Sequence, residues 1–464
     1  MKKQIKKISC SYLLLQVLLG FNLNATTLRD SVEQTINLNP DIISEHYNKK
    51  ENRMNIENEE GDYFPTLNFS TYLENSNIDS KYKDNTPDTN EKIDGWNANI
   101  TLKQVLYDGG KTPKEVEQSK HQYYNIKYTS NEAVESIILD VTHTYLDLLL
   151  NQTLEEFAKF KLKTHNYYLK LAQEKEDISG EILDRLQVQS KINALIDSNL
   201  EQEVKKQKSF SMYENLTQQK ISGNICKPII DEKLIPPTLE EAIEIAINND
   251  NKIRAQYELV QKQKSAIAIQ KAQFIPDVSL ELEADWDYDL SLEEKGQENS
   301  YTARVKSTWN FYNGGKDSIL LEKEKIAMLK ERKILDAIKN SVKDEIKGAY
   351  NTYFQLKKRL ENLKKSVEIN NQIVGVYREQ LKEGSRTFLD LLNAETEVFR
   401  TKILLEEQEI NSYKEYFNIL KSLNKLSDSV LSQKNIVCQK FDINTLLPHY
   451  QSQEEKVKEL GLED

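Results

Sequence analysis

Asp277-Val278-Ser279-Leu280-Glu281-Leu282-Glu283-Ala284-Asp285-Trp286 alternates polar and apolar residues through ten positions. Side chains of a β-strand point to opposite faces with period two. Val278, Leu280, Leu282, Ala284 and Trp286 therefore line one face, and five polar residues the other. Earlier in the chain Leu67, Phe69, Thr71 and Leu73 alternate with Thr66, Asn68, Ser70 and Tyr72. Two return strands repeat the pattern. Trp96, Ala98, Ile100 and Leu102 oppose Asn97, Asn99, Thr101 and Lys103, while Tyr301, Ala303 and Val305 oppose Thr302, Arg304 and Lys306. Two readings compete: a half-solvated soluble sheet, or strands with one face to lipid and one to water. Open strand edges are not tolerated in hydrocarbon, so on the membrane reading copies of the chain must pool their strands. Eight strands from a dimer fill their own interior, whereas twelve from a trimer leave a pore.

Composition points the same way. The chain has 464 residues, 38% apolar and 30% charged, with only 14 Gly and nine Pro, and its mean hydropathy is -0.67. That is too polar for a set of compact cores and too poor in Gly and Pro for a disordered chain. Long helices burying a narrow seam fit it. A net charge of -11 disfavours a nucleic-acid partner, whose phosphates need a basic face. Residues 1–9 carry Lys2, Lys3, Lys6 and Lys7, an apolar run follows from Tyr12 to Leu23, and Asn24-Ala25 offers a small-residue cut site. This is the layout of a secretory signal peptide, with residues 1–25 removed. Beyond it no run of 18 apolar residues predicts a transmembrane helix. Cys226 and Cys438 remain after removal, and export permits a disulfide between them; two unpaired thiols are the alternative.

The chain is a tandem duplication. Thr27-Leu28 through Ile42 aligns without a gap on Thr238-Leu239 through Ile253. Leu106-Tyr107-Asp108-Gly109-Gly110-Lys111 pairs with Phe311-Tyr312-Asn313-Gly314-Gly315-Lys316, and Leu183-Asp184-Arg185-Leu186 with Leu389-Asp390-Leu391-Leu392. Such order over two copies is the mark of an internal repeat. The signal peptide 1–25 is followed by a first repeat, 26–237, with a helix, a strand pair 65–107 and a helical hairpin 112–220. The second repeat, 238–428, has a helix, a strand pair 276–312 and a hairpin 317–425. An acidic tail, 429–464, is either belt structure or flexible.

The hairpins carry a coiled-coil seam. Val342, Ile346, Ala349, Tyr353, Leu356, Leu360, Leu363 and Val367, then Val374, Tyr377 and Leu381, step by four and three with Asn370 the one polar interruption; Val134, Ile138, Val141, Tyr145 and Leu148 do the same. Leu392, Phe399, Ile403, Ile410, Tyr413, Phe417 and Leu420 lie on a similar seam. A helix from about Asp317 to Leu381 is on the order of 100 Å long. Thr112-Pro113-Lys114-Glu115 reads as a capping box. Gly109, Gly110, Gly314 and Gly315 mark strand-to-helix turns, and Gly180 and Gly384 mark the hairpin turns.

These features resemble the TolC family of bacterial outer-membrane channels. Thr238-Leu239-Glu240-Glu241-Ala242-Ile243, the two Gly-Gly-Lys turns and Gly384-Ser385-Arg386-Thr387-Phe388-Leu389-Asp390-Leu391-Leu392-Asn393-Ala394-Glu395 carry the resemblance. It implies a mainly α fold with a membrane β-barrel contribution. In a homotrimer, four strands per chain build a shared twelve-strand barrel and the helices an α-helical barrel. It further implies an outer-membrane location with a large periplasmic portion, and export of drugs or secreted polypeptides. The partners would be a periplasmic adaptor, an inner-membrane ABC or proton-driven transporter, and outer-membrane lipid. The family's gate residues fall on Arg386 and Asp390, with Asp184 as the first-copy partner. Asn393 stands where a second aspartate is expected and Leu381 where a gate tyrosine is. The alternative for Asp390 is a helix-cap arrangement with Thr387, and for Arg386 a solvated hairpin charge.

Rival chemistry is poorly supported. Gly110-Lys111-Thr112 lacks the upstream glycine of a phosphate-binding loop, since position 105 is Val. The histidines show no metal spacing, and no nucleophile motif appears. No cofactor or enzyme activity is expected. The strongest rival is a periplasmic coiled-coil scaffold or adaptor that never enters the bilayer.

Overall fold

The computed structural model describes residues 26–433 except 82–88, 222 and 291–295. The expected signal peptide, Cys438 and most of the tail lie outside the described residues. Both repeats have one plan. Helices α1 (Leu28–Leu38) and α2 (Pro40–Glu60) lead into strands β1 (Thr66–Ser80) and β2 (Thr89–Tyr107), then helices α3 (Lys111–Ser179) and α4 (Leu183–Thr217). Helices α5 (Leu239–Asn249) and α6 (Asn251–Ala272), strands β3 (Asp277–Tyr288) and β4 (Gln297–Thr308), and helices α7 (Lys316–Lys382) and α8 (Phe388–Ser422) repeat it. A short α9 (Leu426–Leu431) crosses the boundary drawn at 428.

Repeat-equivalent caps start the copies: Thr27 accepts from the Asp30 amide and Thr238 from the Glu241 amide. The single helix expected at the start of each repeat is two. Asn39 and Asp250 take extended backbone angles, and at the first break Pro40 disfavours the helical conformation in the residue before it.

The chain forms two compact units. One holds Glu45–Glu132 and Asn251–Ser341, and with them all four strands, in one antiparallel sheet of order β1-β2-β3-β4. Register fixes the two faces row by row. Leu67, Leu102, Leu282 and Ala303 sit opposite one another, as do Phe69, Ile100, Ala284 and Tyr301, then Leu73, Trp96, Tyr288 and Gln297. The alternate rows are Thr66, Lys103, Glu281 and Arg304; Asn68, Thr101, Glu283 and Thr302; and Ser70, Asn99, Asp285 and Ser300. Polar side chains bond across the second face: Asn97 Nδ2 donates to Asp285 and Asp287, both at 2.7 Å, and Arg304 pairs with Glu283. The apolar face stays uncovered in the single chain, with Leu73 86% and Leu67 69% exposed.

The turn after β2 corrects one expectation. Asp108, not Thr112, caps α3: its carboxylate accepts from the amides of Gly110 (3.0 Å), Lys111 (2.9 Å) and Thr112 (2.6 Å). Thr112 lies inside the helix because the chain is already helical from Lys111. Burial alone would push the Asp108 carboxyl up, but the Thr112 hydroxyl and these amides hold it below its ordinary range. All six turn glycines have positive φ. At Gly109 a Cβ would also approach Ala272 O and Ile275 Cβ, each to 3.0 Å, so that residue is fixed twice over. Asp108→Ala should lower unfolding stability by about 1–2 kcal/mol, as loss of an N-cap does. Thr112→Ala, losing one hydroxyl contact, should cost less; thermal unfolding followed by circular dichroism ranks the two, and the reverse order would restore Thr112 as the cap.

The other unit takes in the chain up to Ser44, Ala133–Asp250 and the chain from Val342 onward. Here much of the seam is buried: Ile138, Val141 and Tyr145 on α3, Val342, Ile346 and Tyr353 on α7, and Leu392, Phe399, Ile410 and Phe417 on α8; Val134 and, on α7, Ala349, Leu356, Leu360, Leu363 and Val367 are half-buried. Asn370, the polar interruption in the α7 seam, donates to Thr401 Oγ1 at 3.0 Å. Tyr145 Oη lies 2.9 Å from Thr26 O and 2.6 Å from Cys226 O, tying the start of the described chain to the segment after α4. Cys226 is buried and disulfide-bonded.

Candidate functional site at the hairpin tips

The α3–α4 and α7–α8 hairpins each turn through a glycine, at Gly180 (φ 74°) and Gly384 (φ 73°). At the first tip Lys175 reaches back across the turn to Asp184 (2.8 Å) and Glu181 (3.0 Å), and Arg185 pairs with Glu176 (2.5 Å). The bonds from Asp184, then Glu181, push the Lys175 ammonium above its ordinary range. Asp184 is thus an ion-pair partner within its own hairpin, its side chain 15% exposed.

The second tip is organised differently. Thr387 Oγ1 accepts from the Asp390 amide (3.2 Å), and the Asp390 carboxylate accepts from the Thr387 amide (3.1 Å) and hydroxyl (2.9 Å). This reciprocal capping box starts α8. The Thr387 amide, then its hydroxyl, hold the Asp390 carboxyl below its ordinary range. Arg386 is exposed; its guanidinium lies 4.5 Å from the centre of the Tyr377 ring, and its Nε donates to Gln380 Oε1 at 3.1 Å. No hydrogen bond or ion pair among the described residues joins Asp184 to Arg386 or Asp390.

Sequence reading missed two participants. Tyr377, a seam position one turn before Leu381, also supplies an aromatic partner for Arg386, a role that its spacing does not announce. Glu395 lies within the quoted motif, yet nothing in its residue type announces that it is fully buried. Tyr168 Oη of the first hairpin donates to Glu395 Oε1 at 2.8 Å, and Arg378 Nη2 lies 3.3 Å from the same oxygen. Two apolar clusters flank this point. Ala172, Val188, Ile192 and Leu392 form one; Val374, Leu391 and Val398 form the other, with Tyr377 and Leu381 packed on it.

A family model described as outer membrane efflux protein matches residues 32–194 and 242–423, taking in both repeats. Among curated proteins no match was found. Among solved structures, the Campylobacter jejuni CmeC outer membrane channel is similar at TM-score 0.75 and 13% identity, covering 91% of this chain and 88% of that one. VceC, an outer membrane protein of Vibrio cholerae, gives 0.73 at 14% identity, over 85% of this chain and 95% of that one. The open state of the Neisseria gonorrhoeae MtrE outer membrane channel gives 0.68 at 15% identity, over 86% and 89%. At these identities the structures speak for the fold, and the family match, which removes the soluble-scaffold reading, speaks for the rest. The chain belongs to the outer membrane efflux protein family, and it is an efflux channel of the bacterial outer membrane.

Proposed function

We propose that three copies pool their sheets into a twelve-strand barrel and their helical hairpins into an α-helical tunnel in the periplasm. The observation that carries this is the sheet itself. Its apolar rows lie bare, while among the described residues β1 and β4, the first and last strands in the sheet order, each keep one edge without a neighbour. Lipid would cover the first and neighbouring protomers would pair the second. Asp184, Arg386 and Asp390 sit at the periplasmic entrance, where a periplasmic adaptor and an inner-membrane ABC or proton-driven transporter open the duct and supply the energy. The chain itself performs no chemistry in this scheme. Cys438 is the partner we assign to Cys226; the chain holds only three cysteines, and Cys10 falls within the expected signal peptide.

The cargo is a small molecule or a secreted polypeptide. The same conduit serves both, and the family description favours efflux. Purified in detergent, the protein should run as a trimer and conduct ions in a planar bilayer. Deleting the gene should raise drug susceptibility for an efflux duct, or empty part of the secreted proteome for a secretion duct. A detergent-independent monomer would end the proposal.

A further inference from the structure

We propose that Glu395 is a positioning residue of the entrance: its buried carboxylate holds the second hairpin against the first through Tyr168, and the entrance opens when that bond parts. This rests on reading the hairpin tips as the gate. Glu395 is on α8 and Arg378 on α7, the two arms of one hairpin, so this pair travels together. Tyr168 is on α3, in the other hairpin. Both donors converge on the same oxygen, Oε1, and the carboxylate has no exposure to water that would replace a lost donor.

Direction is what the apolar packing lacks. Leu, Val and Ile contacts hold two helices together but tolerate a slide along their ridges, including one-turn ratchets. A buried polar contact at one height fixes register, the best-attested use of such groups. Tyr168 occupies that height. Its ring packs against both apolar clusters and meets Phe388, the first residue of α8, edge to face with ring centres 6.1 Å apart. The second cluster also seats Tyr377, the ring on which Arg386 lies. A shift at Tyr168–Glu395 is therefore passed through packed side chains to the arginine at the tip.

The test is single-channel recording of the purified full-length protein in planar bilayers, comparing wild type with Tyr168→Phe, Glu395→Gln, the double variant and Arg386→Ala. Tyr168→Phe keeps the ring and its packing and removes only the hydroxyl. Glu395→Gln keeps the shape and removes the charge. Tyr168→Phe loses a hydrogen bond to a charged group and should raise open probability roughly tenfold; Glu395→Gln leaves Tyr168 a neutral acceptor and should raise it by a smaller factor. The double variant should add nothing to Tyr168→Phe alone, and heat-stable oligomer should persist in all. If both singles gate like wild type while Arg386→Ala raises conductance, Glu395 is a fixed structural ion pair and the proposal is overturned. Should open probabilities of the singles simply multiply in the double variant, the two residues act separately and the shared latch is lost. If neither wild type nor Arg386→Ala conducts, the gate reading fails and takes this inference with it.

Discussion

Leu282→Arg should abolish the detergent-stable oligomer and reduce the protein recovered from outer membranes at least tenfold, whereas Thr101→Lys should leave both near wild type. Leu282 lies near the middle of β3, in the row with Leu67, Leu102 and Ala303. In a membrane barrel that row faces hydrocarbon. Arginine at the midplane of a lipid-facing strand costs about 2–4 kcal/mol per copy, and a trimer carries it three times. Thr101 is on the other face, opposite Glu283 and beside Asn99. A lysine there gains an acidic cross-strand neighbour, a pairing that is neutral to mildly stabilising. The two substitutions introduce the same charge at nearly the same depth, so depth alone cannot explain a difference. Equal tolerance of both would mean that neither face meets lipid. Damage from Thr101→Lys alone would mean that the faces are reversed.

The strand faces were legible because they depend on parity alone: once β-structure is assumed, each residue's side is set by its number. The Gly-Gly turns were legible for a similar reason, since positive φ is costly for other residues and the Tyr-Asp-Gly-Gly-Lys and Tyr-Asn-Gly-Gly-Lys pairs occur at matching places. Helix seams were legible in register but not in partner. The four-three spacing marks the inward side of α7 and α8: Val342, Ile346, Tyr353, Leu392 and Phe417 are buried, while Ala349, Leu356, Leu360, Leu363 and Val367 are half-buried. It does not say against which neighbour. Hence Tyr168, which packs on residues of three other helices, carried no signal in its spacing. Nor did Glu395, because a charged residue in a helix of this composition is far more often on a wet face. The cap of α3 failed for a local reason. Asp108 and Thr112 both precede helical sequence by plausible distances, and only the backbone after the two glycines decides which one reaches the free amides.

The gate assignment for the second tip yields the sharper separation of roles. Arg386→Ala removes an exposed contact with Tyr377, worth about 0.5–1 kcal/mol at such a site, and one bond to Gln380. Its effect on oligomer stability should be small, and its effect on conductance a severalfold increase, if the arginine holds the entrance shut. Asp390 needs two variants because it has two attachments. Thr387→Val removes the hydroxyl that accepts from the Asp390 amide and leaves the carboxylate charged; it should loosen the start of α8 without altering ion selectivity. Asp390→Asn keeps an acceptor for the Thr387 amide and removes the charge; it should reduce cation preference, measured as reversal potential in a salt gradient, with little loss of stability. Acidification makes the same separation without mutation. The Thr387 amide and hydroxyl depress the Asp390 pKa, so the ionised form is the one the fold favours. Its contribution is present at neutral pH and is lost only as pH falls through the lowered value, below the ordinary aspartate range. Cation preference due to Asp390 should therefore persist through mild acid and collapse below it, and Asp390→Asn should show no such step. A selectivity unchanged by Asp390→Asn, alongside an α8 start weakened by Thr387→Val, would leave Asp390 with its capping role alone; Asn393 offers no second carboxylate one turn on to take its place.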